Sequence, residues 1–160
     1  MMKKLSIKSV FSIVSPILWG VAIYLLIFAM FHPFVVSGVS MEPTFHSQDF
    51  ILTTDNFSED SLNRGDIVVC SALNRRLIKR VVALPGDSVV IKGGLLYVND
   101  ELSDYNYGEI ENAGVLENKV NLSEHQYVVL GDNRNHSVDC RDCGPIDFDH
   151  INYLVTKHLF

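Results

Sequence analysis

Between Phe11 and Phe31 the chain runs for 21 residues without a charge. The hydrocarbon core of a bilayer is about 30 Å thick and takes about 20 apolar residues to cross as a helix, so the run reads as a transmembrane anchor. Lys3, Lys4 and Lys8 precede it, and no Asp or Glu occurs before Glu42. The positive-inside bias then leaves residues 1–10 in the cytoplasm, 11–31 in the cell membrane as a single pass, and 32–160 outside it. The rival is a cleaved signal peptide, whose apolar part is usually about 7–15 residues long and ends in a small-x-small site. Met30-Phe31-His32-Pro33-Phe34 offers no such site. Pro16, in the first part of the span, is tolerated in a membrane helix.

The 129 residues from His32 onward are enough for one domain with its own core. Three of the 13 Lys+Arg precede the run, so this exterior segment carries 10 against 19 Asp+Glu, a net −9. Phosphate binding needs clustered Lys and Arg, which argues against nucleic acid as a partner. The same sign argues against electrostatic adhesion to anionic lipid. Contact with the lipid bilayer has to be apolar, with Phe31, Phe34, Val35, Val36 and Phe45 as candidates.

Past the anchor, apolar residues come in short, β-branched runs: 50–54, 66–70, 77–84, 88–92, 95–98 and 127–130. Arg64-Gly65-Asp66, Pro85-Gly86-Asp87, Gly93-Gly94 and Asn99-Asp100 read as the turns between them. The expected fold is mainly β, an antiparallel catalytic or binding domain behind one N-terminal helix. Residues 100–124 are polar, with Asp104, Glu109, Glu111 and Glu117, and read as a surface loop. Cys70, Cys140 and Cys143 are an odd number for an exterior location. Cys140 and Cys143 could pair and leave Cys70 free. His136, Cys140 and Cys143 offer three zinc ligands where a structural site wants four.

Three places carry candidate chemistry. Ser40 lies in Ser37-Gly38-Val39-Ser40-Met41-Glu42-Pro43-Thr44, outside any Gly-x-Ser-x-Gly elbow or Ser-x-x-Lys pattern. Taken alone it reads as a turn or cap residue. Strand alternation puts Lys79 on one face with Leu77, Val81 and Ala83, a single amine among apolar neighbours. Burial there disfavours the ammonium and can produce a neutral amine able to act as a base. The plain alternative is an edge-strand charge, or one that snorkels to water. The third place is Gly131 to Gly144, dense in hydrogen-bonding groups of both charges where a loop leaves a strand.

In order along the chain, Ser37–Thr44, Arg64–Val68, Ile78–Asp87 and Gly131–Gly144 resemble the motifs of the bacterial type I signal peptidases. The resemblance implies an endopeptidase that removes signal peptides from exported preproteins at Ala-x-Ala-type sites, with a serine-lysine dyad, no metal and no cofactor. It makes Ser40 the nucleophile and Lys79 the general base. Ser137 becomes the residue that orients the lysine, and Asp132, Asp139 and Arg141 the ion-pairing support. Val36 and Ile78 become the lining of the small substrate pockets, and the backbone N–H of Ser40 an oxyanion donor. The substrate is expected as an added extended strand. Gly38 falls where some members carry a serine that completes the oxyanion hole, and Cys140 replaces the usual serine beside Asp139. The other function class is a signal-peptidase-like assembly or chaperone protein for surface polymers that acts without cleavage. Retention of both Ser40 and Lys79 favours the enzyme.

Overall fold

The computed structural model describes residues 7–159, with the side chains of 7–10, 27, 29 and 30 outside that description. Lys3 and Lys4, on which the expected orientation rests, lie outside the described residues. The chain divides into two compact units, Met1–His32 and Pro33–Phe160.

In the first unit, helix α1 (Ile7–Met30) takes up the long apolar run. At 1.5 Å per residue its 24 residues reach about 36 Å. Pro16 lies inside it. Among the described residues no helix is long and apolar enough to cross a membrane.

The second unit is built from β1 (His32–Val35), β2 (Phe50–Thr54), β3 (Ile67–Ala72), β4 (Arg75–Ala83), β5 (Ser88–Lys92), β6 (Leu95–Val98), β7 (Glu101–Leu102), β8 (Val120–Asn121), β9 (Gln126–Leu130), a helical turn α2 (Cys140–Cys143), β10 (Ile146–Asp147) and β11 (Ile151–His158). Seven strands form one sheet in the order β1-β2-β11-β3-β4-β9-β10, and four form a second in the order β7-β6-β5-β8. The pairings from β2 to β10, and all those of the second sheet, are antiparallel. The expected mainly antiparallel β architecture is what forms.

Local chemistry explains the joins. Gly93-Gly94 and Asn99-Asp100 have positive φ at both positions, as two-residue hairpin turns require. Leu73-Asn74 makes the same turn between β3 and β4 with φ of 51° and 58°, and a leucine gives no sequence warning of it. The main core lies under both sheets, with Val68, Val81, Val82, Val89, Leu96, Val128 and Leu130 buried.

Two expectations need correcting. Residues 100–124 are more than a surface loop: Ile110, Leu116 and Leu122 are buried in the main core. The segment's polar majority hides three anchors spaced too widely to read as an element. The C-terminal strand β11, absent from the expected strands, sits in the middle of the larger sheet between β2 and β3. Its partners lie some 80 to 100 residues away in sequence, so no local hairpin signal marks it.

Candidate active site

A small apolar cluster fixes the loop that carries Ser40. Met41 and Phe45 are buried against Val36 and Ile51, with Ile78 and Ile67 packed on them. Each fully buried side chain of this size contributes about 1.5–3 kcal/mol. Polar contacts complete the fixing. The Asn133 N–H donates to the Ser40 carbonyl at 3.1 Å, and the Asn133 side-chain amide donates to the Val39 carbonyl at 3.1 Å. Thr44 Oγ1 donates to Asp132 Oδ2 at 2.5 Å.

Lys79 comes to the same point from β4. Its side chain is almost wholly buried, and its Nζ lies 2.7 Å from Ser40 Oγ and 2.7 Å from the Ile78 carbonyl. Burial holds its pKa below the ordinary lysine value, while the charges of Asp139, Cys70 and Asp132 pull partly the other way. Alternation puts Lys79 on one face of β4 with Leu77, Val81 and Ala83. In fact Lys79 through Ala83 are all buried, because the two faces of the strand are both covered.

Arg80, on the opposite face, is buried too, and it makes the ion pair that sequence reasoning missed. Its Nε and Nη2 donate to Asp132 at 2.9 and 2.6 Å, and its Nη1 donates to the Gly65 carbonyl at 2.7 Å. Asp132 thus ties β4 to the Ser40 loop through Arg80 and Thr44. The adjacent placement of Lys79 and Arg80 on alternating faces was the available signal.

Asp139 organises the other side. It accepts from Arg141 Nε and Nη2 at 2.8 Å each, from the Gly131 N–H at 3.0 Å and from Ser137 Oγ at 2.8 Å. Burial pushes its carboxyl up, but the Arg141 guanidinium and these donors outweigh that and hold it below the usual carboxylate range. Ser137, expected to orient the lysine, donates its hydroxyl to Asp139, and among the described residues no hydrogen bond joins it to Lys79. Gly131 explains the close fit. A Cβ there would strike Ser137 Oγ and come within 2.5 Å of the Ser40 carbonyl, so only glycine lets the two segments touch.

Beside Ser40 lies a cavity of about 210 Å³ lined by Phe34, Val35, Val36 and Ser37 on one side and Arg76 to Lys79 on the other. Both walls are strand edges. β1 ends the seven-stranded sheet, and Arg75 to Lys79 pair with β3 alone, because β9 joins β4 only from Arg80. Val36 and Ile78 both line the cavity. Gly38, at φ +91°, is exposed. His136 Nδ1 is 3.2 Å from Asn133 Oδ1, and among the described residues no group of three or more His, Cys, Asp or Glu is arranged to hold a metal ion.

The family profile for signal peptidase, peptidase S26, matches residues 7–156. The chain belongs to that family. It is 37% identical over 150 residues to a signal peptidase I of Bacillus licheniformis, across 84% of this chain and 80% of that protein. It is 32% identical over 152 residues to signal peptidase I U of Bacillus subtilis (strain 168), across 88% and 80%. A signal peptidase I of Bacillus amyloliquefaciens is 34% identical over 124 residues, which span 71% of this chain and 66% of that protein. The signal peptidases I are serine endopeptidases.

Proposed function

We propose that the protein is a membrane-anchored endopeptidase that cuts signal peptides from exported preproteins, with Ser40 as nucleophile and Lys79 as general base. The observation that carries this is the 2.7 Å contact between Lys79 Nζ and Ser40 Oγ at the end of a strand-edged cavity. A serine hydroxyl attacks only when a base takes its proton, and a lysine in a dry site can be that base because burial favours its neutral form.

The substrate enters as an extended strand between β1 and the free half of β4, its backbone bonded to both edges. Val36 and Ile78 narrow the cavity and favour small side chains before the cut. Ser40 Oγ attacks the scissile carbonyl and Lys79 Nζ takes its proton. The Ser40 N–H faces the developing oxyanion, and Lys79 returns the proton to the leaving amine. Water, deprotonated by the same amine, then releases the acyl group. Asp139 and Ser137 hold the Gly131 segment against the Ser40 loop and so position the dyad. Helix α1 supplies the anchor: its apolar side chains from Phe11 to Leu26 and at Phe28 are exposed, and Ser40 follows only nine residues after Phe31.

The test is to incubate detergent-solubilised wild type, Ser40→Ala and Lys79→Ala with a precursor whose signal ends in Ala-x-Ala. Wild type cleaves, and each variant loses at least about 10³-fold in rate. Cleavage that survives either substitution removes the dyad.

A further inference from the structure

All three cysteines are free thiols, but they are not alike. Cys70 is sealed in β3, and burial pushes its thiol up to about 12, which leaves it inert. Cys140 opens α2, is fully buried, and its Sγ accepts the Val129 N–H at 3.3 Å. Cys143 closes the same turn and is exposed. Residues three apart in a helical turn have Cα atoms about 5 Å apart, within the roughly 4.4–6.8 Å that a disulfide spans. Cys143 Sγ lies 3.5 Å from the Asp139 and Gly144 carbonyls, and the neighbouring Cys140 thiol pulls Cys143 down to about 7. A lowered pKa favours the nucleophilic thiolate at Cys143.

Cys143 also lines a cavity of about 490 Å³ together with Ser71, Arg75, Arg76, Asp147 and His150. That volume suits a small molecule. Arg75 and Arg76 are exposed and have no ion-pair partner among the described residues. Asp147 is the one acid in the lining, so the cavity carries net positive charge.

We propose that Cys143, with Cys140 behind it, is a thiol–disulfide exchange site whose cavity takes a small disulfide bearing carboxylates. The Cys143 thiolate attacks one sulfur of the incoming disulfide, whose S–S bond breaks and releases one thiolate. The Cys140 thiol gives its proton to that thiolate, and its sulfur attacks Cys143 Sγ. The second thiolate leaves and takes up the proton that Cys143 had lost to solvent. Two protein thiols are oxidised to a disulfide and one small disulfide is reduced to two thiols.

Closure reaches the dyad through Asp139. That carboxylate caps α2 by accepting the Arg141 N–H at 3.2 Å and also holds Ser137 and Gly131. Drawing Cys140 Sγ toward Cys143 takes it from the buried Val129 N–H, two residues before Gly131. The oxidised form is therefore the less active one, a consequence that rests on the peptidase reading above.

The experiment treats the full chain in detergent with glutathione disulfide and follows intact mass. Wild type passes through a glutathione adduct and ends with the loss of two hydrogen atoms. Cys140→Ser stops at the adduct, and Cys143→Ser forms neither. Arg75→Ala reacts about threefold more slowly with glutathione disulfide but at the wild-type rate with neutral hydroxyethyl disulfide. Closure in Cys143→Ser, or an Arg75→Ala rate equal to wild type with glutathione disulfide, overturns the site. Cleavage of the Ala-x-Ala precursor by oxidised wild type falls several-fold and returns with dithiothreitol; an unchanged rate overturns the link to the dyad. The mass readout does not depend on cleavage, so failure of the exchange site and failure of the peptidase reading are told apart.

Discussion

Along α1, Phe11, Leu18 and Trp19 leave 72%, 63% and 68% of their surface uncovered, whereas in the β domain Lys79, Arg80, Asp132, Arg134, Asp139 and Arg141 are each at least nine-tenths covered. One unit turns its apolar groups outward and the other folds its charges inward. A helix apolar on every side suits a hydrocarbon surround, and charges enter a protein interior only where partners meet them. The partners differ in kind. Asp132 and Asp139 each have an arginine, while Lys79 has only a hydroxyl and a carbonyl. On the proposed reading the two ion pairs are scaffolding, and Lys79, an amine without a carboxylate partner, is the reactive group.

The largest effect expected from breaking this contrast comes from Asp139→Ala. It strands a buried Arg141 and should cost about 3–5 kcal/mol of stability, read as a lowered denaturant midpoint of the whole chain. A loss under about 1 kcal/mol would mean that Arg141 reaches water and that the charges are less enclosed than their burial implies. On the other side of the contrast, Leu18→Arg puts a charge at mid-helix. If α1 is a span, this costs about 3 kcal/mol of insertion and moves protein from the membrane fraction to the soluble one. Unchanged fractionation would count against a span.

The smallest effect is graded and concerns pH. Lys79 has a lowered folded pKa, so between that value and the unfolded value of about 10.4 the unfolded chain binds more protons. Stability should rise with pH through this window by at most about 1.4 kcal/mol per unit, and the slope should vanish in Lys79→Met. The cleavage rate should rise over the lower part of the same window as the amine loses its proton. Asp139 acts at the acid end: its folded pKa is lowered, so its contribution is present above about 3.9 and is lost as pH falls through the folded value. Urea unfolding at a series of pH values separates the two.

Much of this was legible in the chain because it was local. The turns at Gly93-Gly94 and Asn99-Asp100, the strands around them and the amine at Lys79 each announce themselves within a few residues. What escaped was settled by distant partners. β11 shows no clean alternation, with Tyr153, Leu154 and Val155 in a row, and its central place follows from pairing with β2 and β3. Arg80 has no local sign of its partner, Asp132, which meets it from 52 residues away. Asn133, which fixes the Ser40 carbonyl, had only its place in the polar cluster as a signal.

The opening between β1 and the first half of β4 also creates a hazard. Two open backbone edges, read above as the substrate's, would equally take a strand from another copy. Pro33 in β1 lacks an N–H to offer, and Arg75 and Arg76 set like charges along the facing edge. The same residues that border the entrance therefore discourage the protein from stacking on itself, and a chain with Pro33 replaced by valine and both arginines by apolar residues would be expected to assemble edge to edge.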